Sequence, residues 1–328
     1  MFHTFSLLCY NEYEVFYMEN QIKILDLLNQ KQNKQVELET LIYGSIEIRE
    51  KDNKQYIYTH NREDGMQSTK YIGEYSEDLH NLILNNNIKA KELKKDIRRI
   101  EKELKELNYV DEDLTIEVTN NIDYARKHLA DTIYKQAILE GVATTLSDTE
   151  NIIEGGKVNN MSSEDILKII NLKHAWEFIL NKNVITSKTN YSILCMINRL
   201  VEEGFYYNAG IIRNVPVNIG GTSWKPDIPV EADIKDEINN IVESELDDVD
   251  KSIRILLYVV KKQIFIDGNK RTSVVFANHY LISKGKGLIV IPSDKVEKYK
   301  KLLVDYYESN NDKEISEFLK KECFLNIE

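Results

Sequence analysis

A short charged loop between two apolar segments is the feature that most constrains the fold of this chain. Residues 253–265 are strongly apolar, residues 274–282 regain that character, and Asp-Gly-Asn-Lys-Arg lies between them at 267–271. Both segments have the composition of buried helices. Because a plain turn between buried helices requires neither lysine nor arginine, the pattern predicts two packed helices joined by a loop with a chemical role.

The loop has the residues of an anion-binding site. Gly268 permits a tight turn, and the amides that follow it open the next helix, where they have no helical acceptor and favour phosphate. Lys270 and Arg271 add positive charge. Asp267 alone would repel a phosphate, so we expect a divalent cation to bridge the two. On residue types alone, a helix cap with solvated charges is an equally good interpretation.

Composition limits the partners and the compartment. The chain has 328 residues, 42% of them hydrophobic, enough for one main domain and an accessory one. Its formal net charge of −11 argues against binding nucleic acid or an anionic membrane through overall charge. No membrane span or signal peptide is expected. The isolated cysteines Cys9, Cys195 and Cys323 indicate reduced thiols in a cytoplasmic protein.

Hydrophobic periodicity changes near residue 110. Before that point it predicts a helix over about residues 14–41, a three-stranded antiparallel meander over about 44–74 and a long helix over about 76–107. The long helix has a narrow apolar seam, which suits packing within this region or an intermolecular coiled coil. Because the polar residues 108–114 break the pattern, we place an N-terminal accessory region at 1–110 and a second domain at 111–328.

The second domain is expected to be almost entirely helical. Predicted helices cover about residues 116–149, 162–181, 187–203, 231–242, 247–265, 269–284, 294–309 and 313–323. Glycines and prolines interrupt them at 206–229. With only four prolines and 13 glycines in the chain, the expected fold class is mainly α.

Basic and aromatic side chains in the meander alternate with acidic ones. Arg49, Tyr56 and Tyr58 are of the types that contact nucleic acid from strands. The interleaved acids, such as Glu47 and Glu50, favour instead a solvated face or a protein-docking surface. We therefore expect the accessory region to recognise a protein partner, and nucleic acid is not an expected partner.

The loop resembles the central motif of the Fic/Doc (Fido) family. That motif runs HxFx(D/E)(G/A)N(G/K)R between two helices, and residues 263–271 read Gln-Ile-Phe-Ile-Asp-Gly-Asn-Lys-Arg, which fits eight of nine places. Residues 210–229 resemble the segment around the family's flap, a hairpin that aligns target peptides. The resemblance covers about 115–310. It implies a Fic-type helical bundle with a β-hairpin flap, along which a protein target would dock.

The resemblance also implies a nucleotide site. Family members hold a nucleotide's phosphates on this loop with a magnesium ion, and they transfer AMP to a hydroxyl, usually on a protein. Here Asp267 would hold Mg²⁺, while Gly268 and Asn269 would contact the inner phosphates of ATP or another nucleotide. Lys270 and Arg271 would contact the outer ones. The related death-on-curing toxins transfer phosphate instead and share the Asn-Lys-Arg ending.

One residue departs from the motif at the catalytic position. The family's histidine removes the proton from the target hydroxyl, and Gln263 stands in its place. A glutamine amide cannot act as a general base near neutral pH, although it can orient a hydroxyl or a water molecule. Loss of a general base typically costs about 10²- to 10⁴-fold in rate. His279, about two helical turns beyond the loop, is expected to be a helix-face residue.

Two further family features are altered. Many AMP-transferring members carry a second arginine three residues after the first, and that place is Val274. Some members also carry an inhibitory helix with the pattern (S/T)xxxE(G/N), whose glutamate pairs with that second arginine. Glu154, followed by Gly155, is the candidate inhibitory residue, with Glu150 where the pattern has Ser or Thr. A glutamate before a helix-ending glycine is the other interpretation.

Two functions of different classes follow. The first is a Fic enzyme that transfers AMP, phosphate or another nucleotide moiety to a protein hydroxyl, with weak or altered activity. The residues expected to carry catalysis are Gln263, Asp267, Asn269 and Arg271. The second is an inactive Fic pseudoenzyme that binds a nucleotide and acts as a regulatory or protein-interaction module. By resemblance alone, a toxin–antitoxin setting suits either.

Overall fold

A computed structural model describes residues 23–63, 66–107, 109, 114–159 and 161–327. The start of the helix predicted from residue 14, residues 64–65 of a predicted turn and most of the predicted break at 108–114 lie outside these ranges. The chain divides into two units, of which one is Asp26–Val110 and the other holds Asp111–Glu328 together with residues 23–25. No helix in the described ranges is long and apolar enough to cross a membrane.

The first unit is a small antiparallel sheet with two helices. Helix α1 covers residues 23–40, of which 26–40 belong to this unit, and helix α2 covers Glu77–Glu106. The strands are β1 (Ser45–Lys51), β2 (Lys54–Glu63) and β3 (Met66–Glu74), paired in chain order. Asp52 and Asn53 connect β1 to β2 with φ values of 53° and 59°, as in a type I′ hairpin turn. The predicted meander is confirmed.

The apolar seam of α2 is buried within the chain. Its buried residues are Ile83, Ala90, Leu93, Ile97, Ile100 and Leu104. Ion pairs join α1 to α2, with 2.7 Å between Lys34 Nζ and Asp96 Oδ2 and 3.1 Å between Lys31 Nζ and Glu101 Oε1. The seam therefore serves packing inside this unit, which was one of its two interpretations.

The second unit is a bundle of helices, and the mainly α fold class is confirmed. The helices are α3 (Ile116–Lys127), α4 (Leu129–Leu139), α5 (Leu146–Ile153), α6 (Ser163–Ile179), α7 (Lys182–Ile185), α8 (Tyr191–Val201), α9 (Glu231–Glu243), α10 (Asp248–Lys262), α11 (Asn269–Ser283), α12 (Val296–Ser309) and α13 (Lys313–Phe318). A 3₁₀ turn at Ser293–Lys295 precedes α12, and a π turn at Leu319–Cys323 follows α13. Strands β4 (Leu288–Ile289) and β5 (Phe324–Leu325) pair antiparallel, which the sequence did not predict.

Local chemistry explains where predicted helices divide or start late. The helix expected over 116–149 is three helices, because the chain breaks at His128 and Gly141 ends α4 with φ 81°. Asn190 caps α8, since its Oδ1 accepts from Ile193 N, so this helix begins later than predicted. Residues 211–230, called here the irregular segment, contain no paired strand; the expected flap hairpin is absent from this part of the structure.

Helix α11 is the centre of the second unit. Every residue from Arg271 to Ile282 is buried, so α11 is covered on all sides. Helix α10 packs along it, and Ser252 Oγ of α10 donates to Ala277 O at 3.0 Å. Because both helices are fixed by the core, the loop that joins them is held at both ends.

His279 lies inside this core and not on an exposed helix face. Its Nδ1 is 2.9 Å from Thr189 Oγ1 and its Nε2 is 3.0 Å from Val184 O. The carbonyl can only accept, so Nε2 carries a proton. Burial lowers the pKa of His279 from 6.5 to about 4. The residue serves the packing of α7 against α11.

We expect the second unit to lose stability as the pH falls from about 6.5 to about 4. In that interval the unfolded chain binds a proton at His279 and the folded chain does not, so protonation favours unfolding. At pH 4 this residue should cost about 3 kcal/mol. Urea unfolding between pH 8 and pH 4 measures the effect, with His279→Gln as the control. A variant with the same pH slope as the wild type would contradict the assignment.

Candidate functional site

The loop between α10 and α11 turns through two residues in the left-handed region. Helix α10 ends because Gln263 has φ 48° and ψ 61°, and α11 begins after Gly268, which has φ 73°. A Cβ added at Gly268 would collide with Glu202 Oε1. Glycine is therefore needed at this position for its backbone conformation and for space.

Asn269 holds the loop in shape. Its Oδ1 accepts from Phe265 N at 2.9 Å, and its Nδ2 donates to Phe265 O at 2.8 Å. The same Nδ2 donates to Gln263 Oε1 at 3.2 Å. Because these bonds occupy the buried side chain, the group that Asn269 offers to a ligand is its backbone N–H.

The first turn of α11 supplies backbone amides for an anion. The N–H groups of Asn269, Lys270 and Arg271 precede Thr272, whose N–H is the first to bond within the turn, to Gly268 O at 2.8 Å. No acidic residue stands in this turn, and no side chain caps it. Three amides and the positive end of a 15-residue helix therefore meet at the loop.

Asp267 is exposed beside these amides. Its Oδ1 accepts from Gly268 N at 2.7 Å, while Oδ2 has no hydrogen bond or ion pair within the described ranges. Across those same ranges, no group of three or more His, Cys, Asp or Glu residues could hold a metal ion. A magnesium ion at Asp267 would therefore take its other ligands from water and phosphate, which suits the chemistry of that ion.

Arg271 is buried and lies against two glutamates. Its Nη2 is 2.7 Å from Glu202 Oε1, and its Nε is 3.5 Å from Glu140 Oε2. Lys270 Nζ is 3.4 Å from Glu140 Oε1. These are charge contacts without full hydrogen bonding: Arg271 Nε, Glu140 Oε1 and Glu202 Oε1 are buried and have no aligned partner in the described part of the chain.

Burial and neighbouring carboxylates make the charged form of Glu202 less favourable than that of an exposed glutamate. Burial raises the pKa of Glu202 to about 7, although the positive charge of Arg271 opposes this change. The nearby carboxylates of Asp267 and Glu140 raise the pKa further. Sequence reasoning missed Glu202, since nothing in its own neighbourhood of the sequence marks it as a partner of the loop.

The candidate inhibitory residue Glu154 lies apart from Arg271, whereas another glutamate, Glu140, lies close to it. Glu154 is exposed at the end of α5, and no ion pair in the described ranges joins it to Arg271. Glu140 ends α4 and lies against Arg271. Glu140-Gly141 also fits the second half of the pattern (S/T)xxxE(G/N), with Gln136 in the first place, a signal that the choice of Glu154 overlooked. The inhibitory role stays a prediction for Glu154.

Gln263 uses its side chain inside the protein. Its Nε2 donates to Val260 O at 2.7 Å, and its Oε1 accepts from Asn269. In this arrangement both ends of the amide hold the end of α10 to the loop. Val274, which stands at the place of the family's second arginine, is a buried residue of α11.

Arg213 ties the irregular segment to the loop. Its guanidinium donates to the backbone oxygens of Gln263, Val215 and Asp227 at 2.5, 2.7 and 2.6 Å. Its own backbone N donates to Ile264 O at 3.0 Å. Burial lowers the pKa of this arginine, and only 1% of the residue is exposed. The sequence marked Arg213 only through the flap resemblance, without indicating this bracing role.

Comparison with known proteins identifies the bundle that carries this loop. Residues 188–281 match the profile of the Fic/DOC family. This stretch of the chain is similar to the Fic/DOC family. The matched range includes α8 to α11 up to Leu281, hence the loop, Arg213 and Glu202.

Solved Fic proteins have a similar fold. Fic-1 (residues 134–508) from C. elegans aligns with 74% of this chain and 81% of its own, at 17% identity and a TM-score of 0.53. A single-substitution variant of that fragment aligns over the same shares at 16% identity and a TM-score of 0.52. A Fic-domain signalling protein from Bacteroides thetaiotaomicron aligns with 58% of this chain and 75% of its own, at 20% identity and a TM-score of 0.48. No curated protein sequence matches significantly.

Proposed function

We propose that the Fic/DOC domain binds the phosphates of a nucleotide, with Mg²⁺, at the N-terminus of α11 and transfers AMP or phosphate slowly to protein hydroxyls. The observation that carries the proposal is the first turn of α11, where three amides stand beside the exposed Asp267. Fic-domain proteins generally transfer nucleotide or phosphate groups to proteins, which supports this use of the turn.

The residues of the loop would divide the work between binding and shaping. The amides of Asn269, Lys270 and Arg271 would bind phosphate oxygens, and Asp267 would hold the cation that compensates the phosphate charge. The side chains of Asn269 and Arg213 keep the loop in place through bonds to its backbone. The bound cation would neutralise charge on the group being transferred.

The rate is expected to be low because the loop has no base. Gln263 cannot accept the proton of an attacking hydroxyl, and in the fold its amide is bonded to Val260 O and Asn269. The proton must then leave to water. We further propose that a protein target docks along the irregular segment, which Arg213 holds next to the loop.

A second candidate function is a nucleotide-binding pseudoenzyme that signals through its N-terminal unit. Two contacts favour it. The side-chain amide of Gln263 is committed to internal bonds, and the guanidinium of Arg271 is already paired with Glu140 and Glu202. Under this alternative the loop binds a nucleotide and no group is transferred.

Binding and transfer assays separate these outcomes. Calorimetry with ATP should show binding that Mg²⁺ strengthens, and Asp267→Asn should lose that gain. Incubation with a bacterial lysate and α- or γ-labelled ATP then tests transfer, since the α label reports AMP and the γ label reports phosphate. Binding without any label transfer would support the pseudoenzyme. Absence of nucleotide binding would defeat both functions.

A further inference from the structure

Arg271 is held by a carboxylate that the loop motif does not supply. Glu202 follows α8, only 3% of its side chain is exposed, and its Oε1 lies 2.7 Å from Arg271 Nη2. The same oxygen lies against Gly268, where it fills the space that any Cβ would need. Glu202 therefore lies at both the turn and the guanidinium of the anion site.

The cluster around Arg271 has unmet bonding capacity. Its Nε is buried without a hydrogen-bond partner in the described part of the chain, as are Glu140 Oε1 and Glu202 Oε1. Buried polar atoms are normally paired, because an unpaired one is costly. An oxygen of a phosphate group would satisfy the guanidinium. The same oxygen would approach two carboxylates. The guanidinium therefore attracts an anion to this cluster, and the two carboxylates repel it.

Charges on several elements bear on Glu202. Arg271 and Asp267 face it from the loop and α11, Glu140 from α4 and Lys168 from α6. The single positive charge of Arg271 is therefore shared between two carboxylates before any ligand binds. A phosphate that uses the guanidinium must displace a carboxylate, whereas a phosphate bound only by the amides of α11 need not.

We propose that Glu202 determines which nucleotides the site prefers, by occupying the guanidinium of Arg271 that an outer phosphate would use. The site then discriminates against nucleoside di- and triphosphates relative to monophosphates, whose single phosphate binds the amides. Glu202 acts through Arg271 and is thus a positioning residue. The inference rests on the proposed nucleotide binding at this loop.

Calorimetric titration with AMP, ADP and ATP in the presence of Mg²⁺ tests this role. Glu202→Gln keeps the shape of the side chain and removes its charge. In this variant the affinity for ADP and ATP should rise about ten- to hundredfold, the range for a hydrogen bond to a charged group. The affinity for AMP should change by less than about threefold, as expected where sites do not interact. The wild type should bind ADP no more tightly than AMP.

Glu140→Gln is the matched control, because it makes the same chemical change at the longer contact of 3.5 Å to Arg271. Its gain for ADP should be smaller. A larger gain in Glu140→Gln, or an equal gain for AMP and ADP in Glu202→Gln, would overturn the inference.

Two outcomes need no variant and keep the test decisive if Glu202→Gln does not fold. A wild type that prefers ADP over AMP by about tenfold or more would overturn the role of Glu202, since the guanidinium would then be open to an outer phosphate. Failure of the wild type to bind any of the three nucleotides would remove the proposed function itself and this inference with it. Nucleotide binding without the predicted discrimination would remove the inference alone.

Discussion

Gly268→Ala is expected to abolish nucleotide binding and to lower the free energy of unfolding by about 2–4 kcal/mol. The φ of 73° alone costs a residue with a Cβ about 1–2 kcal/mol. The new methyl group would also collide with Glu202 Oε1. If Glu202 moves away, Arg271 loses its closest partner; if the loop moves, the amides of α11 are misplaced. Urea unfolding and calorimetric titration measure the two effects.

Gly155→Ala is the matched control for this substitution. Gly155 has φ 78°, and a Cβ built there would meet no atom within 4 Å. This variant therefore carries the backbone cost without the contact. The difference between the two variants reports the contact with Glu202, and equal losses of stability would show that Gly268 is needed for its backbone conformation alone.

The features that sequence reasoning predicted well are those encoded by neighbouring residues. Alternation of apolar and polar residues, together with the turn at Asp52-Asn53, predicted the meander. The two apolar segments predicted α10 and α11 within a few residues, since each carries its own cap or stop signal: Asp247 accepts from Asp250 N at the start of α10. The loop motif predicted the family for the same reason, because its residues are contiguous.

The features that it missed depend on contacts between distant parts of the chain. Glu140 follows α4 and Glu202 follows α8, and only the packing of those helices around α11 brings the two residues to Arg271. The burial of His279 has the same cause, since its partners come from residues 184 and 189. The interior use of the amides of Gln263 and Asn269 depends on left-handed backbone at Gln263, which no propensity predicts for glutamine.

Side-chain bonding within the loop also changes what the motif residues mean. The side chain of Asn269 holds Phe265 at both backbone groups, which leaves the backbone N–H of Asn269 for the predicted contact with phosphate. A nucleotide site at this loop would therefore depend on the backbone of α11, on Asp267 and on the release of Arg271 from Glu140 and Glu202. The effect of glutamine at the catalytic position can therefore be measured separately from nucleotide binding.

Gln263→His should raise the rate of label transfer by about 10²- to 10⁴-fold, the usual contribution of a general base. Histidine is among the residues that tolerate a positive φ, so it suits the value of 48° at this position.

The substitution also removes the amide bonds to Val260 and Asn269, so Gln263→Asn serves as the control that shortens the same amide without adding a base. Labelled ATP, Mg²⁺ and a bacterial lysate measure all three proteins. Transfer that rises as much in Gln263→Asn as in Gln263→His would assign the gain to a released loop contact, and unchanged transfer in both would show that the scaffold lacks more than its base.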